Sequence, residues 1–125
     1  MSHDHAQPDP ATPRQALIDL AVESWRLTRG IGRTLARLDE PARSRATSQL
    51  RWFERSIDTA LAAAGLRLVD LAAQPFDAGL PATPLNLDDF DPGDALVVDH
   101  MLEPVILGAD GVVRAGTVML KKDAP

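Results

Sequence analysis

Residues 61–69 read LAAAGLRLV and contain the point at which the pattern of the chain changes. Leu61 and the three alanines continue a helical pattern, and Gly65 follows at a position where glycine commonly ends a helix. After Gly65, Leu and Val alternate with polar residues, which is the two-residue period of a strand. The stretch therefore predicts helical structure before Gly65 and β-structure after it.

The segment before this stretch is predicted to hold two helices. Thr12 followed by Pro13 is a favourable helix start, because the hydroxyl can cap and proline suits the first helical position. Apolar residues then recur at steps of three and four, which places them on one narrow stripe of a helix, as in a coiled-coil seam. One serine interrupts the stripe, which consists of Leu17, Leu20, Ser24, Leu27, Ile31, Leu35 and Leu38.

A second helix is predicted from the break at Asp39-Glu40-Pro41 to about Ala64, with Leu50, Phe53, Ile57 and Leu61 on one face. The linker is short, so the helices should pack as an antiparallel hairpin. Two narrow stripes bury little alone, and we expect two hairpins to dimerise into a four-helix bundle. The expected interface is Leu17, Leu20, Leu27, Ile31, Leu35, Phe53, Ile57 and Leu61. Trp25 and Trp52 lie beside the stripes and should pack within the bundle.

The segment after Gly65 is predicted to be a small β domain. Residues 74–94 are rich in Pro, Gly, Asp and Asn and predict an ordered loop with a possible strand at 85–87. Strand-like runs follow at 95–99, 103–107 and 112–120, and Asp110-Gly111 predicts a tight hairpin. The chain is therefore expected to be α+β, with a helical hairpin at 12–64, a β domain at 65–122 and a disordered polar tail at 1–11.

Composition excludes several classes of function. The 125 residues contain no cysteine, which rules out disulfides, a thiol nucleophile and cysteine-based metal sites. The formal net charge of −5 does not favour nucleic acid or an anionic membrane as a partner. No apolar run reaches the length of a membrane span and no signal peptide is evident, so a cytoplasmic protein is expected.

No catalytic group of residues is evident, and the sequence predicts neither an enzyme nor a bound cofactor. Outside the tail the one histidine is His100, and no serine stands in a nucleophile elbow. The run Asp88, Asp89, Asp91 and Asp94 does not match a calcium loop, and indicates a solvated acidic turn or a patch for a basic partner. His3 and His5 are interpreted as incidental, since the tail lacks further metal ligands.

Several short motifs occur in a common order: LAAAGLRLV at 61–69, Pro75-Phe76-Asp77, Asp91-Pro92-Gly93 before a strand, and GVVRAGTVMLKK at 111–122. In this order the chain resembles the GrpE family, the nucleotide exchange factors of DnaK-type chaperones, over residues 15 to 122. The first helix is much shorter than the family's long paired helix. Residues 101–104, Met-Leu-Glu-Pro, stand where the family often has a different turn.

The resemblance implies that the β domain binds the ATPase domain of a DnaK-type chaperone and promotes ADP release. The expected contact residues are Asp77, Asp88, Asp89, His100, Met101 and Arg114. Of these, Arg114 matches a family motif position, although an arginine lying along a sheet face would explain it equally well. The short helix and altered turn leave a second hypothesis open, a dimeric adaptor without exchange activity. A small enzyme or metal protein is the remaining alternative, and a stoichiometric bound ion would favour it.

Overall fold

Two helices precede six strands in the computed structural model, which describes residues 12–123. The helices are α1 (Pro13–Leu35) and α2 (Glu40–Ala63). The strands are β1 (Arg67–Val69), β2 (Ala82–Pro84), β3 (Leu96–Glu103), β4 (Val105–Gly108), β5 (Gly111–Arg114) and β6 (Gly116–Lys122). The predicted α+β class, a helical hairpin followed by a small β region, is confirmed. The predictions made for residues 1–11 lie outside the described residues.

The helix boundaries follow from capping side chains that the sequence supplies. Thr12 Oγ1 accepts a hydrogen bond from the Gln15 amide at 3.0 Å, and Pro13 occupies the first helical position. Asp39 Oδ1 caps α2 by accepting from the Ala42 amide at 3.1 Å. The predicted break at residues 39–41 is therefore a real start of the second helix.

Gly65 ends α2 and redirects the chain into the sheet. Its φ of 72° lies in the left-handed region, which costs glycine little and other residues more. The Gly65 amide donates to the Ala62 carbonyl at 3.0 Å, and the Leu66 amide donates to the Leu61 carbonyl at 2.9 Å. These two bonds form a Schellman motif and satisfy carbonyls that the helix end leaves free. Leu66 then enters the core, so the same turn that ends the helix positions β1.

The strands form two three-stranded sheets. The first has the order β1-β4-β5 and is antiparallel throughout. The second has the order β2-β6-β3, in which β2 is parallel and β3 antiparallel to β6. Fully buried Pro104 separates β3 from β4, so the chain leaves one sheet and enters the other at that residue. Gly111, with a φ of 123°, lies in the β4–β5 hairpin as the Asp-Gly signature predicts.

The strand boundaries correct the sequence prediction in three places. The strands expected at 95–99 and 103–107 are instead β3, which continues to Glu103, and β4, which begins at Val105. The single strand expected over 112–120 is two strands, β5 and β6, which belong to different sheets. The strand expected at 85–87 is also wrong. β2 occupies Ala82–Pro84 instead, and a short 3-10 turn follows at Leu87–Asp89. Between β5 and β6 the chain crosses from one sheet to the other, which a two-residue period alone does not reveal, whereas β2 and the next strand, β3, belong to the same sheet.

The buried face of α1 is wider than the predicted stripe and rotated from it. It consists of Ile18, Ala21, Val22, Ser24, Trp25, Thr28 and Leu35. The reason is that α1 packs against both α2 and the sheets, and two neighbours cover a broader arc than one. Leu20 and Leu27 of the predicted stripe are therefore left 61% and 59% exposed.

Two hydrophobic clusters hold the fold together. The first joins the hairpin to the first sheet through α1, α2 and β4: Ile18, Ala21, Val22, Leu61, Leu66 and Ile106. The second fills the space between the sheets: Trp25, Val98, Met101, Val105, Val118 and Leu120. Trp25 belongs to α1, so the helix supplies part of the core of the β region.

The tryptophans differ from the expectation that both pack within the helical bundle. Trp25 is 9% exposed and packs against strands rather than against α2 alone. Trp52 is 65% exposed on α2.

Neither helix over the described residues is long and apolar enough to cross a membrane.

Candidate functional site

The expected contact residues lie in three places on the β region, two of which, around Arg114 and around His100, adjoin through Arg26 of α1. Arg114 belongs to a polar cluster around Glu103. Asp77 and Asp88 line a loop-bound pocket, and His100 and Met101 line a cleft beside α1. Asp89 is exposed in the 3-10 turn next to the pocket.

The Glu103 cluster consists of Arg26, Glu103, Arg114 and Thr117. Thr117 Oγ1 donates to Glu103 Oε1 at 2.8 Å, and Arg114 Nη2 donates to Glu103 Oε2 at 3.3 Å. Arg26 of α1 also donates to Glu103 Oε2. The cluster therefore links α1, β3, β5 and β6 through one carboxylate.

The electrostatics of this cluster favour an ionised Glu103. The hydrogen bond from Thr117 is the main reason that the pKa of Glu103 lies below its ordinary value, and the two arginines act in the same direction. Partial burial opposes them, since the side chain is 19% exposed. Arg114 keeps 33% of its side chain exposed, so its guanidinium is held at the surface by Glu103. The pairing with Glu103 thereby orients the guanidinium of Arg114, the residue that the resemblance implies as a partner contact.

Gly116 lies next to the Glu103 cluster, at a position where the surrounding atoms leave no room for a side chain. A Cβ atom at Gly116 would come within 2.6 Å of Met101 Cε and 2.9 Å of the Glu103 carbonyl oxygen. Both distances are shorter than real carbon contacts allow. Gly116 of the GVVRAGTVMLKK motif thus permits β6 to approach β3 closely where Glu103 contacts Thr117.

The acidic pocket is a cavity of about 530 Å³ in the loops beside the second sheet. Apolar and carboxylate side chains share its wall: Phe76, Asp77, Leu87, Asp88, Phe90, Asp91, Pro92, Asp94 and Leu96. Asp94 lies 3.8 Å from Lys122 Nζ, and Asp77 Oδ1 accepts from the Gly79 amide at 2.7 Å. Such a wall suits a partner segment that combines a basic group with an apolar one.

Asn86 fixes the loop that carries this pocket. Its side-chain amide donates to the Leu120 carbonyl at 3.0 Å and its Oδ1 accepts from the Leu120 amide at 2.9 Å. The side chain thereby pairs with β6 as a strand would. Phe76 and Phe90 pack on the second cluster from the same loops. The predicted ordered loop is therefore anchored at both its polar and its apolar residues.

The arginine cleft lies between α1 and the second half of β3, and has a volume of about 700 Å³. Its lining is Trp25, Arg26, Arg29, Arg33, Asp70, Ala72, His100, Met101 and Leu102. Arg29 Nη2 lies 2.6 Å from Asp70 Oδ2, and its guanidinium stacks 4.7 Å above the Trp25 ring. The cleft places three cations beside exposed His100 and half-exposed Leu102.

Burial argues against one of the expected contacts. Met101 is 7% exposed, packs in the second cluster and receives the Leu71 amide on its sulfur at 3.0 Å. Its side chain is therefore committed to the core and offers a partner little surface, which sets it apart from the other expected contact residues. His100, its neighbour in the strand, points outward as the alternation of a strand requires.

Sequence reasoning missed the residues that organise two of these surfaces. Arg26, Arg29 and Arg33 recur at steps of three and four, which places them on one helix face and was visible in the sequence. The role of Glu103 had no such signal, because its partners come from three other elements, one of them 77 residues away in the chain.

Within residues 12–123 no group of three or more His, Asp or Glu side chains is placed to hold a metal ion. Comparison of the chain with protein-family models, with curated proteins and with solved structures finds no match.

Proposed function

We propose that this chain is a GrpE-like co-chaperone that binds the ATPase domain of a DnaK-type chaperone and promotes ADP release. The observation that carries the proposal is the position of GVVRAGTVMLKK, whose Arg114 is held at the surface by Glu103 where the two sheets meet. The order of a hairpin, the Gly65 turn and a small β region agrees with the resemblance stated for the sequence. No covalent step is involved.

The mechanism requires only differential binding. A protein that favours nucleotide release must bind the open form of the ATPase domain more tightly than the closed form. A partly exposed arginine held by a carboxylate suits such a contact, because its guanidinium is already oriented and arginine is enriched among binding hot spots. The acidic pocket supplies a second contact of opposite charge.

The decisive experiment measures the release of a fluorescent ADP analogue from a purified DnaK-type chaperone of the native host. Addition of the full chain should raise the off-rate. Arg114→Ala should weaken the complex by about 1–3 kcal/mol while the circular dichroism stays unchanged. Arg67→Ala is the matched control, because Arg67 is an exposed arginine of β1 outside the Glu103 cluster. An off-rate unaffected by the wild-type chain would refute exchange activity.

The short helices favour a second candidate, a dimeric adaptor that binds a chaperone or other protein without promoting exchange, because the family that the chain resembles has a much longer paired helix. α1 and α2 contain 23 and 24 residues, so each spans about 35 Å at the standard helical rise. The same experiment separates the two functions. An adaptor would bind the chaperone at measurable affinity and leave the ADP off-rate unchanged.

Dimerisation through the hairpin belongs to both candidates. Leu35 and fully buried Leu61 of the expected interface lie inside the protomer and offer little surface to a second copy. Leu17 and Ile57 are partly buried against the same core, and Phe53 is half-buried on α2. The residues left for a second copy are Leu20, Leu27 and Ile31, with 61%, 59% and 37% exposure.

These three side chains share one face of α1. Leu27 follows Trp25 by two residues, which turns it by about 200° and places it away from the β region. A second copy would cover this apolar face and remove it from water. Leu27→Ser should shift the molar mass measured by light scattering toward the monomer. Leu85→Ser should not, although Leu85 of the β region is 60% exposed. A wild-type chain that is monomeric at high concentration would rule out the dimer.

A further inference from the structure

We infer that the arginine cleft is a docking site for an acidic, extended segment of a partner protein, which would add to the open edge of β3. The inference goes beyond nucleotide exchange and depends on neither the chaperone nor Arg114. Its basis is the coincidence of an unpaired strand edge with a row of cations along α1.

Charge is distributed unevenly along the chain. Residues 12–64 contain nine Arg against six Asp or Glu, whereas residues 65–123 contain four Lys or Arg against ten Asp or Glu. The hairpin is therefore basic within an acidic protein. Arg26, Arg29 and Arg33 bring this positive charge to the boundary with the β region, where they line the cleft.

These cations are only partly neutralised. Arg29 is paired with Asp70, and Arg26 is paired with Glu23 and Glu103. Among residues 12–123 no carboxylate lies within salt-bridge distance of Arg33. Arg26 and Arg29 each keep 46% of their side chains exposed. The cleft can therefore bind further negative charge, which favours an acidic partner and disfavours a basic one.

The backbone of β3 supplies the second half of the site. β3 is one of the two outer strands of its sheet. Residues 73–76 cover the first half of β3 through three backbone hydrogen bonds. The Ala73 amide donates to the Val98 carbonyl, the Val98 amide donates to the Gln74 carbonyl, and the Phe76 amide donates to the Leu96 carbonyl. No backbone hydrogen bond within the described chain extends this cover to residues 99–102. An open strand edge accepts an extended peptide by main-chain pairing.

The dimensions and chemistry of the cleft fit such a segment. Its volume of about 700 Å³ lies within the usual range of ligand sites. Leu102 of β3, 37% exposed, offers an apolar contact beside the charges. In a paired strand successive side chains alternate between faces. A segment that alternates acidic and apolar residues would therefore present its carboxylates together on one face.

The test uses the full chain and a labelled peptide in which Asp alternates with Val. Fluorescence anisotropy should detect binding that weakens as salt is raised, because screening reduces the attraction between the charges. Peptides in which Asn or Lys replaces every Asp are the controls. Equal binding of the Asn peptide, or preferential binding of the Lys peptide, would overturn the inference.

Matched charge reversals locate the site. Arg33→Glu should weaken binding of the Asp peptide by about tenfold or more, whereas Arg51→Glu, an equal charge change on α2 outside the cleft, should have a much smaller effect. Equal losses would mean that only net charge matters and would refute the site. Hydrogen exchange tests the pairing: the amides of residues 99–102 should gain protection with peptide, and those of β5, also an outer strand, should not.

The remaining outcomes are also decisive. No gain of protection at residues 99–102 would refute strand addition. Binding that appears only after removal of residues 1–11 would assign the cleft to the chain's own N-terminal segment and would overturn the inference of a partner protein. Neither result bears on ADP release, so this inference and the proposed exchange activity can fail separately.

Discussion

At the scale of single residues, Glu103 connects β3 to three other elements. It accepts hydrogen bonds from Thr117, Arg114 and Arg26, and each donor comes from a different element. Its pKa is lowered because these donors stabilise the carboxylate. A group whose pKa is lower in the folded than in the unfolded chain stabilises the fold above its unfolded pKa, and this contribution is lost as pH falls through the folded pKa.

We therefore expect Glu103→Gln to reduce the free energy of unfolding by about 1–3 kcal/mol at neutral pH, since it removes the negative charge and turns an NH2 donor, in place of one acceptor oxygen, toward charged donors. The difference from wild type should shrink as pH falls below about 4.3, the ordinary glutamate pKa, because the carboxylate is then protonated first in the unfolded chain and, at lower pH, also in the folded one. Urea denaturation at neutral and acidic pH measures both effects. Glu23→Gln is the control: it removes an exposed partner of Arg26 and should cost about 0–1 kcal/mol. A difference that stays constant with pH would contradict the prediction.

At the scale of elements, the junction of α2 and β1 depends on one backbone conformation. Gly65 has a φ of 72° with no atom near its missing Cβ, so the conformational preference alone opposes a side chain there. Gly65→Ala should therefore reduce the free energy of unfolding by about 1–2 kcal/mol. Gly32→Ala should have the opposite sign, a gain of about 0.5–1 kcal/mol, since Gly32 is inside α1 with open space around it. Thermal or urea unfolding of both variants measures these changes in the free energy of unfolding. A Gly65→Ala variant as stable as wild type would contradict the conformational explanation.

At the scale of the whole molecule, the hairpin and the β region share a core through Trp25. We expect Trp25→Ala to cost about 3–5 kcal/mol, because it leaves a cavity among the strands of the second cluster. Hydrogen exchange should then show weaker protection in both α1 and β3. Trp52→Ala should stay within about 0.5 kcal/mol of wild type, since Trp52 is 65% exposed. Loss of protection confined to α1 would mean that the β region folds independently.

Local signals determined much of this fold. The caps at Thr12 and Asp39, the helix end at Gly65 and the Asp110-Gly111 hairpin all depend on contacts within a few residues, and each was predictable for that reason. Only the tertiary structure decided which face of α1 is buried, that β5 and β6 belong to different sheets, and that Glu103 gathers donors from three elements. These features depend on which segments become neighbours in space. Such pairings join residues far apart in the chain, and no local period of the sequence encodes them.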